Sequence, residues 1–244
     1  MSVGKYVPAF KPPSDPDVKI WRYMDFTKYV SMLKSGALFF SRADLLGDPF
    51  EGSYSKANAP HRERGPIPER SLAELSEFYE RLRRWTFVNC WHMNDHESAA
   101  MWTIYSRSDR AIALQSTYRR LEAAMKPHEH VYVGTVSYVD YENQPIPEGN
   151  SFYPYLYKRH SYEHEREIRA VIQELPHSDS GGLDWTANPS SGIEKRVEVE
   201  DLVESVHVSP GSPEWYMDVT TAVTEKFGIT TRVLRSALDE DPFF

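Results

Sequence analysis

Residues 18–40 read VKIWRYMDFTKYVSMLKSGALFF, and three elements follow one another within them. Val18 to Tyr23 alternates and carries β-forming residues, which predicts a first strand. Asp25 stands where a helix N-cap is expected. Phe26, Tyr29, Val30 and Leu33 then recur at helical spacing, and Gly36 closes the helix. ALFFSRAD (37–44) predicts a second strand running into Gly47-Asp48-Pro49, a turn by its chemistry.

Outward from this strand–helix–strand opening, residues 53–70 are polar and rich in Pro and Gly, which predicts a long surface loop. Ser71 with Glu74 has the form of a capping box for a helix reaching Arg84. TFVNCW (86–91) predicts a strand, and His96 to Ser106 a helix packing Ala99, Ala100 and Trp102 inward, with Asp95 or Asn94 as its cap. RAIALQ (110–115) and HVYVGTVSYVDY (130–141) read as strands flanking a helix from about Tyr118 to Met125. The strand EIRAVIQE (167–174) follows an aromatic and basic stretch, and residues 176–192 read as a loop or lid. The last third holds a strand in VESVHVSP (203–210), a helix from Pro213 to Phe227 closed by Gly228, and a strand in TTRVLRS (230–236). The order is mixed rather than regularly βαβ, so the expected class is α+β. Residues 1–17 form an expected extended lead-in and 18–244 one α+β domain.

Composition bounds the function. With 40% hydrophobic and 13% aromatic residues the chain has material for a core and is not disordered as a whole. No apolar run approaches the roughly 18 residues of a membrane span, and the N-terminus has no apolar signal core. One cysteine, Cys90, rules out an internal disulfide framework and suits the cytoplasm. A net charge of −8 works against non-specific nucleic-acid binding, although small basic clusters at Arg81–Arg84 and Lys158–His160 leave nucleic acid open as a substrate in one groove.

Three motifs are dense in polar groups. In EREIRAV, alternation along a strand puts Glu165, Glu167 and Arg169 on one face and Arg166, Ile168 and Ala170 on the other. Two carboxylates raise one another's pKa while the arginine lowers both, so the pair could act as acid, base or ribose acceptor. An exposed strand face with a cross-strand ion pair is the commoner meaning of such a pattern. In NCWHMNDHESAAMW, Cys90, His92 and His96, with His160 or His164, match no standard zinc spacing, and no metal is expected. Ser98, Trp102 and Tyr105 are left to line a pocket or to pack. Cys90 with His92 on the same strand face could be a nucleophile and base, but a buried structural cysteine is commoner. In WRY, one of Arg22 and Tyr23 must face away from the core, and Arg22 at a strand end beside a helix start could hook an anion or make an ordinary ion pair. Asp48 and Glu51 of GDPFEG are expected to shape the turn.

The blocks WRYMDFTKYVSMLKSGALFFSRADLLGDPFEG, NCWHMNDHESAAMWTIYSRSDRAIALQST, KRHSYEHEREIRAV and VHVSPGSPEW resemble an uncharacterised bacterial family defined only as a domain of unknown function. The order of motifs also resembles, remotely, the ADP-ribosyltransferase superfamily. That superfamily opens with a strand bearing His or Arg and an "ILxxGL"-like step, continues with a Ser- or Tyr-bearing strand–helix, and ends on a strand beginning at a catalytic Glu. This resemblance implies a mixed, largely antiparallel split sheet with flanking helices and NAD as co-substrate. Glu167, or else Glu165, would be catalytic. Arg22 and Tyr23 would bind NAD phosphate or ribose; Ser98 or Tyr105 would flank nicotinamide; and Trp91 and Trp102 would add an aromatic wall. Ser41 and Arg169 are counted with the substrate-binding residues. The chain departs from the superfamily in lacking the His-Gly or Arg-Gly pair of the opening motif.

The first expectation is therefore an enzyme that cleaves an N-glycosidic bond, in NAD, and passes ADP-ribose to a macromolecular acceptor or water, suited to a toxin or phage-defence role. A nucleic-acid glycosylase or nuclease that stacks a flipped base on these aromatics is the second. A non-catalytic binding module using Tyr153–Tyr162 as its surface is the third. The enzyme reading requires its groups to converge on one pocket.

Overall fold

The structure, a computed structural model, describes residues 8–59, 69–105, 110–178 and 181–244. Along the chain the elements are β1 (Lys19–Asp25), α1 (Phe26–Ser35), β2 (Ala37–Arg42), α2 (Glu69–Arg83), β3 (Thr86–Met93), α3 (Ala99–Tyr105), β4 (Ala111–Thr117) and α4 (Tyr118–Met125). They continue with β5 (Tyr132–Thr135), β6 (Ser137–Val139), β7 (Tyr157–Arg159), β8 (Glu167–Gln173), β9 (Gly192–Arg196), α5 (Val199–Leu202), β10 (Ser205–Val208), α6 (Glu214–Lys226) and β11 (Arg232–Arg235). The chain is thus α+β, with largely antiparallel strand pairing and helices beside the strands. Among the described residues no helix is long and apolar enough to cross a membrane.

The chain divides into two interleaved compact units. The first comprises residues 1–12, 39–89 and 128–193; the second comprises 13–38, 90–127 and 194–244.

In the second unit β1 pairs antiparallel with β4 along its whole length, from Lys19 opposite Thr117 to Asp25 opposite Ala111. β10 lies antiparallel on the other side of β4, and β11 continues beyond β10 in parallel. Asp25 caps α1, its carboxylate accepting from the Lys28 amide at 2.9 Å, which satisfies one of the four orphan N–H groups of a helix start. Gly36 ends the helix at φ 58°, a left-handed value glycine takes at little cost. Tyr29, Met32 and Leu33 form the buried face of α1. α3 is shorter than the sequence predicts and packs differently: Met101 and Trp102 are buried, whereas Ala99 and Ala100 are exposed. Its first turn is capped by Ser98, whose hydroxyl accepts from the Met101 amide, rather than by Asp95 or Asn94. Residues 106–109, where the predicted end of this helix falls, lie outside the described residues.

In the first unit β5 pairs antiparallel with β8, β8 adjoins β3, and the Ser41–Arg42 end of β2 pairs antiparallel with Val88 and Phe87 of β3. β6 and β7 make a separate parallel pair. The predicted strand 130–141 is two strands, broken at Val136, whose amide turns to the Glu167 carbonyl at 2.9 Å. Ser71 is the third residue of α2 rather than its cap, because the helix is under way at Glu69. Within the predicted 53–70 loop, Ser55 and Asn58 are buried; the Asn58 side chain both donates to the Ile146 carbonyl and accepts from its amide. The rest of that loop, 60–68, lies outside the described residues. Strand β9 had no alternation to announce it and takes over the end of the 176–192 loop.

Candidate functional site

The first unit buries a cluster of charges. The Glu165-x-Glu167-x-Arg169 alternation does bring the three side chains together, but not along one strand. β8 begins at Glu167; Glu165 ends a 3-10 turn; and Arg166 between them takes the left-handed conformation at φ 39°. Nor is this an exposed strand face: Glu165, Glu167 and Arg169 are 6%, 5% and 1% exposed. Burial of charge is tolerable only with partners, and the partners are complete.

Arg169 lies between two carboxylates. Its Nη1 and Nη2 donate to the two oxygens of Glu51 at 2.5 and 2.9 Å. Nε and Nη2 donate to Glu167 at 2.6 and 3.2 Å, and Nη1 also donates to the Tyr155 carbonyl at 2.7 Å. These five bonds use all five N–H groups that a guanidinium owns. Lys158, 6% exposed, donates to Glu167 Oε1 at 2.7 Å and to Glu165 Oε2, and its ammonium sits 4.5 Å from the centre of the Tyr162 ring. The Glu167 amide donates to the Tyr138 hydroxyl at 2.8 Å. Beside this group Asp48 accepts from Arg159 at 2.7 Å and from the Phe50 amide, and the Arg159 guanidinium stacks 4.1 Å from the Phe50 ring centre.

The electrostatics separate the two carboxyls. Burial pushes Glu167 up, but Arg169 and Lys158 outweigh it and hold the group ionised, well below the usual carboxylate range. Burial pushes Glu165 up as well. The hydrogen bond it shares with Glu167 and the negative charge there add to the rise, and Lys158 only partly offsets it, leaving Glu165 at about 7. The charge count agrees: Glu51, Arg169, Glu167 and Lys158 sum to zero, so a neutral Glu165 leaves the buried group without net charge. A carboxylic acid that titrates near neutrality beside a fixed carboxylate is the pairing that proton-transfer and cation-stabilising chemistry requires. Ser41 is on β2, half-buried, opposite Val88.

The second unit holds the remaining predicted residues. Tyr23 is buried with Trp21, Met101, Trp102, Ala111 and Ala113. Its ring meets Trp102 edge-on at 4.9 Å, and its hydroxyl accepts from the Ser98 amide at 2.8 Å, so Tyr23, Ser98 and Trp102 come together at the start of α3. Burial raises the Tyr23 hydroxyl pKa. Arg22, the alternate neighbour, turns the other way: it donates to the Cys90 carbonyl at 3.1 Å and lies 5.9 Å from the Trp91 ring centre. Burial lowers the Arg22 pKa, with Cys90 and Tyr105 opposing it. Trp91 is 1% exposed, and Tyr105, at the end of α3, is 43% exposed. Among the described residues no three His, Cys, Asp or Glu side chains are grouped to hold a metal ion.

Two features escaped the sequence reading. Glu51 and Lys158 complete the first unit's cluster, although GDPFEG read as a turn and Lys158 as one of a basic run. In the second unit Glu97 gathers three donors, Trp102 Nε1 at 3.0 Å, Ser236 Oγ at 2.6 Å and the Ala237 amide at 2.9 Å, and His207 Nδ1 lies 3.2 Å away. Burial pushes this carboxyl up, but the hydrogen bonds from His207, Ser236, Ala237 and Trp102 prevail and bring it down to about 2. An acidic residue five before a tryptophan carries no signal by itself; its other partners lie more than a hundred residues away.

No family model matches the chain and no curated protein matches it, so the likeness to a bacterial family of unknown function rests on the motifs quoted above. Among solved structures the chain is similar to Thermus sp. 2.9 DarT in complex with NAD+, at 11% identity over 95% of this chain and 100% of that one, with a TM-score of 0.43. It is likewise similar to Thermus sp. 2.9 DarT in complex with ADP-ribosylated ssDNA (10% identity, 95% and 99% covered, TM-score 0.42) and with carba-NAD+ (10%, 93% and 98%, 0.39). Likenesses this distant assign no activity.

Proposed function

We propose that the chain is an ADP-ribosyltransferase-type enzyme that cleaves the N-glycosidic bond of NAD and passes ADP-ribose to a macromolecular acceptor or to water. The observation that carries the reading is the pair of buried carboxyls, with Glu167 held ionised and Glu165 brought to about 7. A fixed carboxylate stabilises the positive charge that develops on the ribose as nicotinamide leaves. A neighbouring carboxyl titrating near 7 takes the proton of the incoming nucleophile. Lys158 orients both carboxyls, and Arg169, pinned by Glu51, keeps Glu167 from taking a proton. In the first unit Ser41 is proposed as a further substrate contact. The test is nicotinamide release from NAD by the purified chain. Release by the wild type that is lost in Glu167→Gln and reduced in Glu165→Gln supports the assignment, provided both variants remain folded; full rate in folded Glu167→Gln removes Glu167 from the chemistry.

One observation favours a second reading. The Glu167 oxygens already accept from Lys158 and Arg169 three times, and its side chain is nearly covered. On that reading the cluster is a framework for a binding module. Its signature is absent turnover together with a large loss of stability in each cluster variant.

A further inference from the structure

A row of side chains across β4, β10 and β11 borders a cleft of the second unit that glycosidic chemistry does not use. Gln115 stands opposite Ser205 on β10, and Ser205 stands opposite Arg232 on β11. Residues opposite one another in neighbouring strands share a face, so the three side chains line one side of the sheet. All three border an open cleft of about 530 Å³, with Val203 and Leu234 as its apolar part and Glu200 on its wall.

The polar groups around the cleft divide into engaged and open ones. Arg120 donates to Glu204 at 3.1 Å and to the Asp201 carbonyl at 2.6 Å, so the Arg120 and Glu204 charges cancel within the wall. The buried Ser205 hydroxyl donates to Gln115 Oε1 at 2.7 Å. That bond takes the oxygen of the amide and leaves Nε2 with two N–H groups that meet no acceptor among the described residues. Arg232 is exposed, and among the described residues its guanidinium meets no carboxylate. Glu200 Oε1 accepts from the Thr230 amide at 2.6 Å and from its hydroxyl at 2.8 Å. Among the described residues Oε2 has no partner and no cation pairs with Glu200. The two bonds from Thr230 hold Glu200 below the usual carboxylate range, so it carries its charge at neutral pH.

One positive and one negative charge thus face the cleft uncompensated. Thr230, which holds Glu200, is two residues before Arg232, at most roughly 7 Å of chain. A carboxylate and an ammonium carried on one carbon, with a hydrogen bond at each end, bridge charges held that close. A ligand of single sign would leave one of the two unmet. Among the described residues none bordering the cleft is aromatic, so a nucleobase finds no face to stack on.

We propose that this cleft is a binding site for a free α-amino acid with an uncharged side chain. The ligand carboxylate lies against Arg232 and the Gln115 amide, its ammonium against Glu200 Oε2, and its side chain against Val203 and Leu234. A guanidinium fork and an amide N–H together match the two oxygens of a carboxylate. An ionised side chain on the ligand would find no charge left to pair with, which disfavours acidic and basic amino acids.

The test is isothermal titration calorimetry of the full-length chain with L-alanine, L-leucine and L-glutamine, each also as its N-acetyl and its amide form. Saturable binding of a free amino acid that weakens at least about tenfold in both blocked forms supports the site, since each blocked form lacks one of the two charges. The same loss is expected in Arg232→Ala and in Glu200→Gln, which removes the charge but keeps an oxygen for Thr230. Should Arg232→Ala fail to fold, Arg232→Met keeps the apolar stem and takes its place. No saturable binding of any of the three up to about 10 mM overturns the proposal. So does a blocked form that binds as tightly as the free amino acid, or undiminished binding by folded Arg232→Ala. Nicotinamide release should be unchanged in Arg232→Ala, so this site and the glycosidic reading fail separately.

Discussion

Glu51 and Arg169 stand 118 positions apart in the sequence and meet end-on in the first unit, each guanidinium Nη on one carboxylate oxygen. The remaining donors of Arg169 go to Glu167 and to the Tyr155 carbonyl, so no N–H is left for a substitute to omit without cost. A lysine offers three donors from one point and cannot reproduce the fork. Arg169→Lys should lose about 3 kcal/mol or more of stability, because it leaves Glu51 or Glu167 buried and underpaired. Urea unfolding of the variant against the wild type measures it.

Gly52 sits next to Glu51 at φ 74°, and a Cβ there would come 2.5 Å from Tyr155 Cε1. Gly52→Ala should therefore cost roughly 2 kcal/mol or more, through the strained backbone and the clash together. It should also weaken the Glu51–Arg169 contact, since the residue that must move carries the carbonyl to which Arg169 donates. Thermal melting tests the first effect. The second predicts that Gly52→Ala and Arg169→Lys fall short of additivity in a double-mutant cycle.

Glu165 makes stability depend on pH in an unusual direction. Its folded value is raised from 4.5 to about 7, so between those limits the native chain holds a proton that the unfolded chain has released. Stability contributed by this group is full below about 4.5 and declines as pH rises to about 7. The loss is on the order of 2–3 kcal/mol. Glu167 works the opposite way, its lowered value contributing above 4.5 and withdrawing as the solution becomes more acid. Glu165→Gln should abolish the decline and melt above the wild type at pH 8, yet show no such gain at pH 5. A melting series across this range settles it.

If the glycosidic reading holds, the same titration appears in the kinetics. A base must be deprotonated to work, so acceptor transfer should rise with pH through about 7 in the wild type. The rising limb should vanish in Glu165→Gln while nicotinamide release persists at a lower rate. A limb that survives in folded Glu165→Gln assigns it to another group.

Glu97 predicts a loss at acid pH. Its folded value of about 2 lies below 4.5, so its contribution is present above 4.5 and is lost as pH falls towards 2. Glu97→Ala should cost about 2–4 kcal/mol at neutral pH, since three donors lose one buried acceptor. Amide exchange at Ala237 should accelerate selectively, because that amide donates to Glu97.

The elements that the sequence announced share a cause. Around Asp25, α1 and Gly36, the cap, the apolar stripe and the stop lie within a dozen residues, and local chemistry decides them. Glu165, Glu167 and Arg169 were legible as neighbours for the same reason. Their environment was not: nothing in EREIRAV says that Glu51 and Lys158 arrive to bury them, so the commoner exposed reading was mistaken about the surroundings. Strand β9 is half-buried with charged residues in its body, a pattern that tertiary pairing selects and periodicity does not report. The Ser98 cap was overlooked because Asn94 and Asp95 are equally good caps by composition, and only the hydroxyl of Tyr23 fixes where the helix begins. The Glu97 hub lay beyond reach, because β10 and the segment at Ser236 supply most of its partners.

The charges of the first unit arrive from separate stretches of chain, Asp48 and Glu51 from one, Lys158 and Arg159 from a second, and Glu165, Glu167 and Arg169 from a third. The pairs cross between the stretches, Asp48 with Arg159, Glu51 with Arg169, and Lys158 with Glu165 and Glu167, so any two docked without the third would bury a charge without its partner. An intermediate that had docked two of the three would therefore be penalised, and the reward comes only when the last one closes. The first unit should consequently have no stable half-assembled form, and its unfolding transition should be steep and coincident by every probe that reads it.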